Sequence, residues 1–316
     1  MGAEKIESAT GTPKKSKISP LKRQEHWAAM AFVSIKYVGL LLFTLLPLVV
    51  SFLYSMTDYI AMAETEPFFT RIDDLWCNFD NYARLFQGEN LKYFMNAVKN
   101  NCILILSVPL GIAFGLVVAV ILSREGKIHG SRIIRMLIYI PVVSSAVAMN
   151  VIWRYIFDHK YGIVNQFFGS QIEWLRDETW IKVAMIIKTA WGSIGRTMIL
   201  CLAALTGVGN DYYEAADLDG AGEITKFFKI ALPLISPTIF YLVTTGLINN
   251  LQAFVDSQIF AGGAFGGQTI VYFIWSFGIH QSEYGLASAA SFILTIAIMI
   301  ITFVQFKLQD KWVYSD

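Results

Sequence analysis

An all-α membrane protein with six spanning helices and both termini in the cytoplasm is the fold class this sequence predicts, on three observations. The 316 residues are 55% hydrophobic and only 16% charged, with a mean hydropathy of +0.51, which lies outside the range of soluble globular domains. Six segments, roughly 32–56, 101–122, 134–156, 180–205, 236–260 and 287–306, each reach the length of about 20 apolar residues that a spanning helix needs. The loops between them divide the Lys and Arg unevenly, which sets the orientation.

Taken in order, residues 1–26 carry Lys5, Lys14, Lys15, Lys17, Lys22 and Arg23 among Gly, Ser and Pro. The apolar run behind them is too long for a signal peptide and has no small-residue cleavage site. A basic cytoplasmic tail, held to anionic lipid headgroups, is therefore expected ahead of a membrane domain over 27–316. Arg124, Lys127, Arg132 and Arg135 fall between or just inside spans two and three, Lys226 and Lys229 after span four, and Lys307 and Lys311 at the C-terminus. The opposite loops are poorer in cations. Residues 57–100 hold Arg71, Arg84, Lys92 and Lys99 against seven acids (Asp58, Glu64, Glu66, Asp73, Asp74, Asp80 and Glu89), and 157–179 adds Lys160 and Arg176. Residues 261–286 have no Lys or Arg. This count places 206–233 in the cytoplasm. The apolar stretch 269–277 is too short to span and reads as a re-entrant or interfacial piece.

Several function classes are excluded. The net charge of +1 comes with no basic patch interleaved with aromatics, so nucleic acid is not expected as a partner. Cys77, Cys102 and Cys201 follow no metal or disulfide spacing, and His26, His129, His159 and His280 are scattered. No metal site, catalytic residue or cofactor is therefore assigned to this chain. A secondary carrier or channel is the alternative class, but no repeated halves are evident in the hydropathy.

The cytoplasmic segment is the most specific feature. Glu214-Ala215-Ala216-Asp217-Leu218-Asp219-Gly220, nine further residues, then Ile230-Ala231-Leu232-Pro233, resembles the EAA-x3-G-x9-I-x-LP signature of membrane subunits of bacterial binding-protein-dependent ABC importers. From the residues alone, 214–226 is helix-compatible with an apolar stripe of Ala215, Ala216, Leu218 and Ala221, while Gly220 allows a bend and Pro233 a helix stop. The bland alternative is an amphipathic helix lying on the membrane. The resemblance implies a type I importer permease fold and a docking helix whose ATPase-coupling residues are Glu214, Ala215, Ala216, Asp219, Gly220, Leu232 and Pro233. It also implies a second homologous permease subunit, two ATPase subunits that hold the ATP and Mg, and an extracytoplasmic sugar-binding protein, all at the cytoplasmic membrane. Relatives usually have a proline where this chain has Gly209.

Weaker pieces resemble the sugar branch of that family. They are Ser55–Tyr59, Asn78-Phe79-Asp80-Asn81-Tyr82, Phe94 with Asn96 and Asn100, Tyr139 with Pro141, Trp153-Arg154-Tyr155, Ser236-Pro237-Thr238 and Tyr284-Gly285-Leu286-Ala287. The implied cargo is a saccharide, with phosphate esters as the non-sugar alternative. The stretch Gly262-Gly263-Ala264-Phe265-Gly266-Gly267-Gln268 imitates a phosphate-binding loop, but Gln268 stands where its lysine belongs, and a flexible outer loop is expected instead.

Polar groups inside spans are expensive and are the candidate pathway residues. Asn249, Asn250 and Gln252 of span five either meet sugar hydroxyls, with Phe254 facing a pyranose ring, or serve as packing amides. In span four, Lys188 lies near Trp191, with Arg196 deeper and able to snorkel. Lys188 either pairs with Asp256 or meets an anionic sugar such as a uronate oligomer, and the sequence leaves both open.

Overall fold

A computed structural model of the protein describes residues 20–59, 68–70, 72–123, 130–311 and 313–314. Most of the expected basic tail, and Glu64, Glu66, Arg71, Arg124, Lys127 and His129, lie outside the described residues, as do the side chains of Lys22, Arg23, His26 and Asp74. The described residues are helical, with no strand beyond a single bridge between Thr57 and Trp76. The chain forms two units, residues 1–51 and 52–316. The first contains helix α1 (Pro20–Leu40) and a π-helical stretch, Leu41–Leu45, and runs into α2 (Leu46–Ser55).

The second unit is a bundle. It contains α3 (Gly88–Leu104), α4 (Ser107–Ser123), α5 (Ser131–Val143), α6 (Ala146–Ile156), α7 (Trp180–Thr206), α8 (Asn210–Leu218), α9 (Ser236–Leu251), α10 (Ile270–Trp275) and α11 (Tyr284–Gln309). Three stretches, Ala29–Ser55, Gly88–Ser123 and Tyr284–Gln309, are each long and apolar enough to cross a membrane, and up to six cross if each bent pair counts as one span.

The bends correct two sequence expectations and meet a third. Segment 134–156 is not one rod: α5 and α6 meet at 102°. Pro141 removes a backbone donor near the end of α5, Ser144 Oγ turns back onto the Ile140 carbonyl at 2.8 Å, and Ser145 is no longer helical. Segment 236–260 also breaks. Helix α9 ends at Leu251, and a π-helical turn, Asp256–Phe260, follows an irregular stretch. Segment 214–226 bends at Gly220, as the sequence allowed, into α8 and a short helix, Glu223–Lys226.

Irregular backbone inside a membrane bundle must find internal partners. Two buried amides supply them at adjacent breaks. Asn101 Nδ2 donates to the Asn250 carbonyl at 3.0 Å, and Asn250 Nδ2 donates to the Leu104 carbonyl at 2.9 Å and to Ser107 Oγ at 3.2 Å. Asn101 Oδ1 also accepts the N–H of Ile270 at 2.8 Å, where α10 begins under a Thr269 cap. The glycine loop expected to be flexible is strapped down. Asn96 and Asn100 donate to the Phe265 carbonyl at 2.7 and 3.1 Å, and Ser257 Oγ to that of Gly267 at 2.7 Å. The Asn78–Tyr82 element is likewise a latch: Asn81 Nδ2 reaches the Thr57 carbonyl at 2.7 Å, and Arg84 bridges Asp58 and Glu283 at 2.6 and 3.3 Å.

Helix α7 is 27 residues long, about 40 Å at 1.5 Å per residue, and packs through small residues, as helices in lipid must. A Cβ built on Gly115 of α4 would stand 2.5 Å from Thr197 Cβ, and one on Gly195 would stand 2.5 Å from the Ile138 carbonyl of α5. Gly195→Ala is therefore expected to destabilise the protein by about 1–3 kcal/mol in unfolding measured in detergent. Gly192→Ala, whose Cβ would meet nothing within 4 Å, is expected to be neutral or stabilising. Equal effects of the two substitutions would show that the seam is not close-packed.

Candidate functional site

At one end of α7 the motif residues build a protruding, sharply terminated helix. Gly209 is its N-cap at φ −61, a value that a proline ring would also impose, so the missing proline leaves the entry geometry intact. At the far end Gly220 adopts φ +72. The N–H of Ala221 reaches back to the Ala216 carbonyl at 2.9 Å and that of Gly220 to the Asp217 carbonyl at 3.0 Å. This paired closure is a Schellman motif with glycine at the left-handed position. The spacing from Glu214 to Gly220 is thus that of a helix face and its terminator.

Glu214, Ala215 and Asp219 are exposed and Ala216 is buried, while Leu232 and Pro233 are half-buried where the chain enters α9. The expected apolar stripe is not one covered face: Leu218 is 91% exposed, and Tyr212, Ile224 and Phe228 also project freely. Lys226 ties the piece together. Its buried ammonium pairs with Asp217 of α8 and, at 3.4 Å, with Glu223. The Asp217 hydrogen bond holds its pKa above the ordinary lysine value.

A cavity of about 300 Å³ lies between α4, α7 and α9. Its wall on α7 is the stripe Met185, Thr189, Ser193 and Arg196, spaced as one helical face. Asn249, Asn250 and Phe254 line the α9 side, and Asp256 also borders it. Asn249 is exposed on that wall, whereas Asn250 is committed to the helix breaks described above, with only its Oδ1 unpartnered among the described residues. Phe254 packs on Trp275 with ring centroids 5.6 Å apart. Gln252 is the C-cap of α9 and does not line the cavity. Trp191 faces elsewhere, meeting Trp153 edge-on at 5.2 Å.

Lys188 takes the first of its two sequence options: its ammonium is paired with Asp256 Oδ1. Asp256 is a hub, also accepting from Asn150 Nδ2 at 3.0 Å and Thr189 Oγ1 at 3.2 Å. This leaves Arg196 as the notable cation of the cavity, exposed on its wall and with no hydrogen-bond or ion-pair partner among the described residues. The sequence left Arg196 able to snorkel and gave it no place on a cavity wall. The signal for its actual place is the recurrence of 185, 189, 193 and 196 on one helical face.

A membrane helix bundle with a cavity that carries a few polar groups on largely apolar walls, and a projecting capped helix, has the features of a permease subunit. The chain belongs to the family of binding-protein-dependent transport system inner membrane components, whose pattern matches residues 111–314. It is 30% identical over 305 residues, 93% of this chain and 94% of the other, to a probable ABC transporter permease of Bacillus subtilis (strain 168). It is 29% identical over 238 residues, 72% of this chain and 78% of the other, to the lactose transport system permease of Rhizobium radiobacter. Its fold is that of an ABC importer permease. The crystal structure of a bacterial ABC transporter that imports the acidic polysaccharide alginate contains a chain with a TM-score of 0.77 at 22% identity, covering 91% of this chain and 96% of that one. A second structure of an alginate transporter, captured with an alginate pentasaccharide-bound periplasmic protein, matches equally well.

Proposed function

We propose that this chain is one half of the pathway of a saccharide importer in the cytoplasmic membrane, with six spans, both termini inside, and an acidic oligosaccharide as cargo. A second homologous permease completes the cavity, an extracytoplasmic binding protein delivers the sugar, and two ATPase subunits supply the work. Each ATPase takes a projecting helix of the Asn210–Leu218 type into a groove, with Glu214 meeting a basic or hydrogen-bonding partner. ATP-driven closure of the ATPase pair moves this helix as a lever, and the spans open outward.

The observation that carries the cargo is Arg196. Charged residues in spanning helices characteristically face internal cavities and mark substrate pathways, and an exposed guanidinium there meets a carboxylate through charge-assisted, bidentate contact. Around it Thr189 and Ser193, whose protons go to Asp256 and the Ala190 carbonyl, offer acceptor oxygens, and the Asn249 amide can donate and accept, as sugar hydroxyls require. The same guanidinium suits a phosphate ester, which is the second reading.

The test uses the complete importer in proteoliposomes, with ATP hydrolysis stimulated by trigalacturonate, maltotriose or glycerol phosphate. Trigalacturonate should stimulate, and Arg196→Met should lower that response by about tenfold or more while assembly and basal hydrolysis persist. Stimulation by maltotriose alone would overturn the acidic cargo, and stimulation by glycerol phosphate alone would overturn the saccharide.

A further inference from the structure

A second, larger cavity of about 640 Å³ lies at the opposite end of α7 from the Glu214 helix, framed by the end of α6, the 158–176 loop and Phe260-Ala261. Arg154, Lys160 and Arg176 all border it, and no carboxylate among the described residues pairs with any of them. Arg154 is aimed rather than free, since its Nη1 donates to the Ile259 carbonyl at 3.3 Å. Two acids share the rim with the three cations, which leaves the cluster with a net positive charge. Asp158 accepts the N–H of Tyr161 at 2.8 Å and of Lys160 at 3.0 Å, and these bonds hold its carboxyl below the usual range. Glu173 is the other. His159, also on the wall, has a buried Nδ1 with no partner among the described residues. Tyr155 and Tyr161 stand 75% and 80% exposed beside these cations, offering flat faces against which a pyranose ring packs.

This cavity connects with the first through shared elements. Asn150 of α6 holds Asp256, which borders the inner cavity, and Arg154, one turn further along α6, borders the outer one. Likewise the five-residue turn Asp256–Phe260 begins at the inner cavity and ends at the outer. The Lys188–Asp256 pair, which is neutral as a unit, lies beside the inner cavity, and one buried apolar cluster supplies Met185 to its wall and Phe157 and Phe260 to the outer one.

We infer that the outer cavity is an anion-binding antechamber, in which Arg154, Lys160 and Arg176 receive the carboxylates of an oligouronate before it reaches Arg196. The inference rests on the proposed saccharide function and adds a site to it. Two cationic stations in succession suit passage, because each binds without trapping, the condition that multi-site pathways meet.

The test is binding of labelled trigalacturonate to the purified importer complex in nanodiscs of neutral lipid. Arg154→Gln, Lys160→Gln and Arg176→Gln combined should weaken binding by about tenfold, leave maltotriose controls and basal ATP hydrolysis unchanged, and flatten the salt dependence of the wild type. Loss of wild-type binding when phosphatidylglycerol is added to the nanodisc would overturn the inference by assigning the cations to lipid headgroups. If the triple variant binds and transports trigalacturonate normally while Arg196→Met does not, the antechamber is wrong and the acidic cargo stands. If wild type neither binds nor transports it, both fail.

Discussion

Asp256→Leu is expected to be the most damaging single substitution in the spanning region, at about 3–5 kcal/mol. It leaves the Lys188 ammonium, whose side chain is only 12% exposed, with no acceptor among the described residues. Lys188→Met should cost less, about 1–3 kcal/mol, because Asn150 and Thr189 still donate to the Asp256 carboxylate. Combining the two removes both charges and should restore stability to within about 1 kcal/mol of the wild type, since a buried pair replaced by apolar groups is often neutral. Denaturant unfolding of the three variants in detergent measures the cycle. A neutral Asp256→Leu, or a double variant no better than the worse single, would show that the pair does not hold the helices. Retained folding of Lys188→Met with selective loss of acidic cargo would return Lys188 to the ligand.

The second large effect belongs to the projecting helix. Gly220→Val is expected to abolish sugar uptake per ATP hydrolysed while leaving the permease inserted. The left-handed backbone at φ +72 costs a β-branched residue about 1–2 kcal/mol, and that cost is relieved by opening the helix terminus. The cause is conformational and not steric, because a Cβ at Gly220 would meet nothing within 4 Å. Gly220→Asn, the side chain that best tolerates this region, should therefore retain most coupling. Glu214→Lys should uncouple in the same assay without the conformational component. Full substrate-stimulated uptake by Gly220→Val would sink the lever assignment.

Much of this was legible in the residues. Helix α7, the tight turn at Gly220 and the Lys188–Asp256 option all follow from local pattern and the high cost of buried charge. The bends did not follow. A long apolar run reads as one helix: Pro141 marks a kink without fixing the sharp turn at Ser144-Ser145, and nothing in Leu251-Gln252 announces a break whose Asn250 carbonyl Asn101 satisfies from elsewhere in the sequence. The same nonlocality hid the role of Asn250, which looked like one of three equivalent amides. It hid the outer cavity too, because Arg154, Lys160 and Arg176 are separated along the chain and converge only when the 158–176 loop folds onto the end of α6.

The glycine seam of α4 and α7 has a consequence for how such a subunit can move. Where Gly111 and Gly115 meet Ser193 and Thr197, a single added carbon would stand 1.9 to 2.5 Å from its neighbours. Slippage by even one residue would drive Ile112 or Leu116 into that gap. The two helices are therefore keyed like a shaft and its hub: they can turn together but cannot slide past each other. A displacement delivered through Gly209 to the end of α7 travels along the pair without being absorbed, and the compliance has to lie at the fractured joints after Val143 and Leu251.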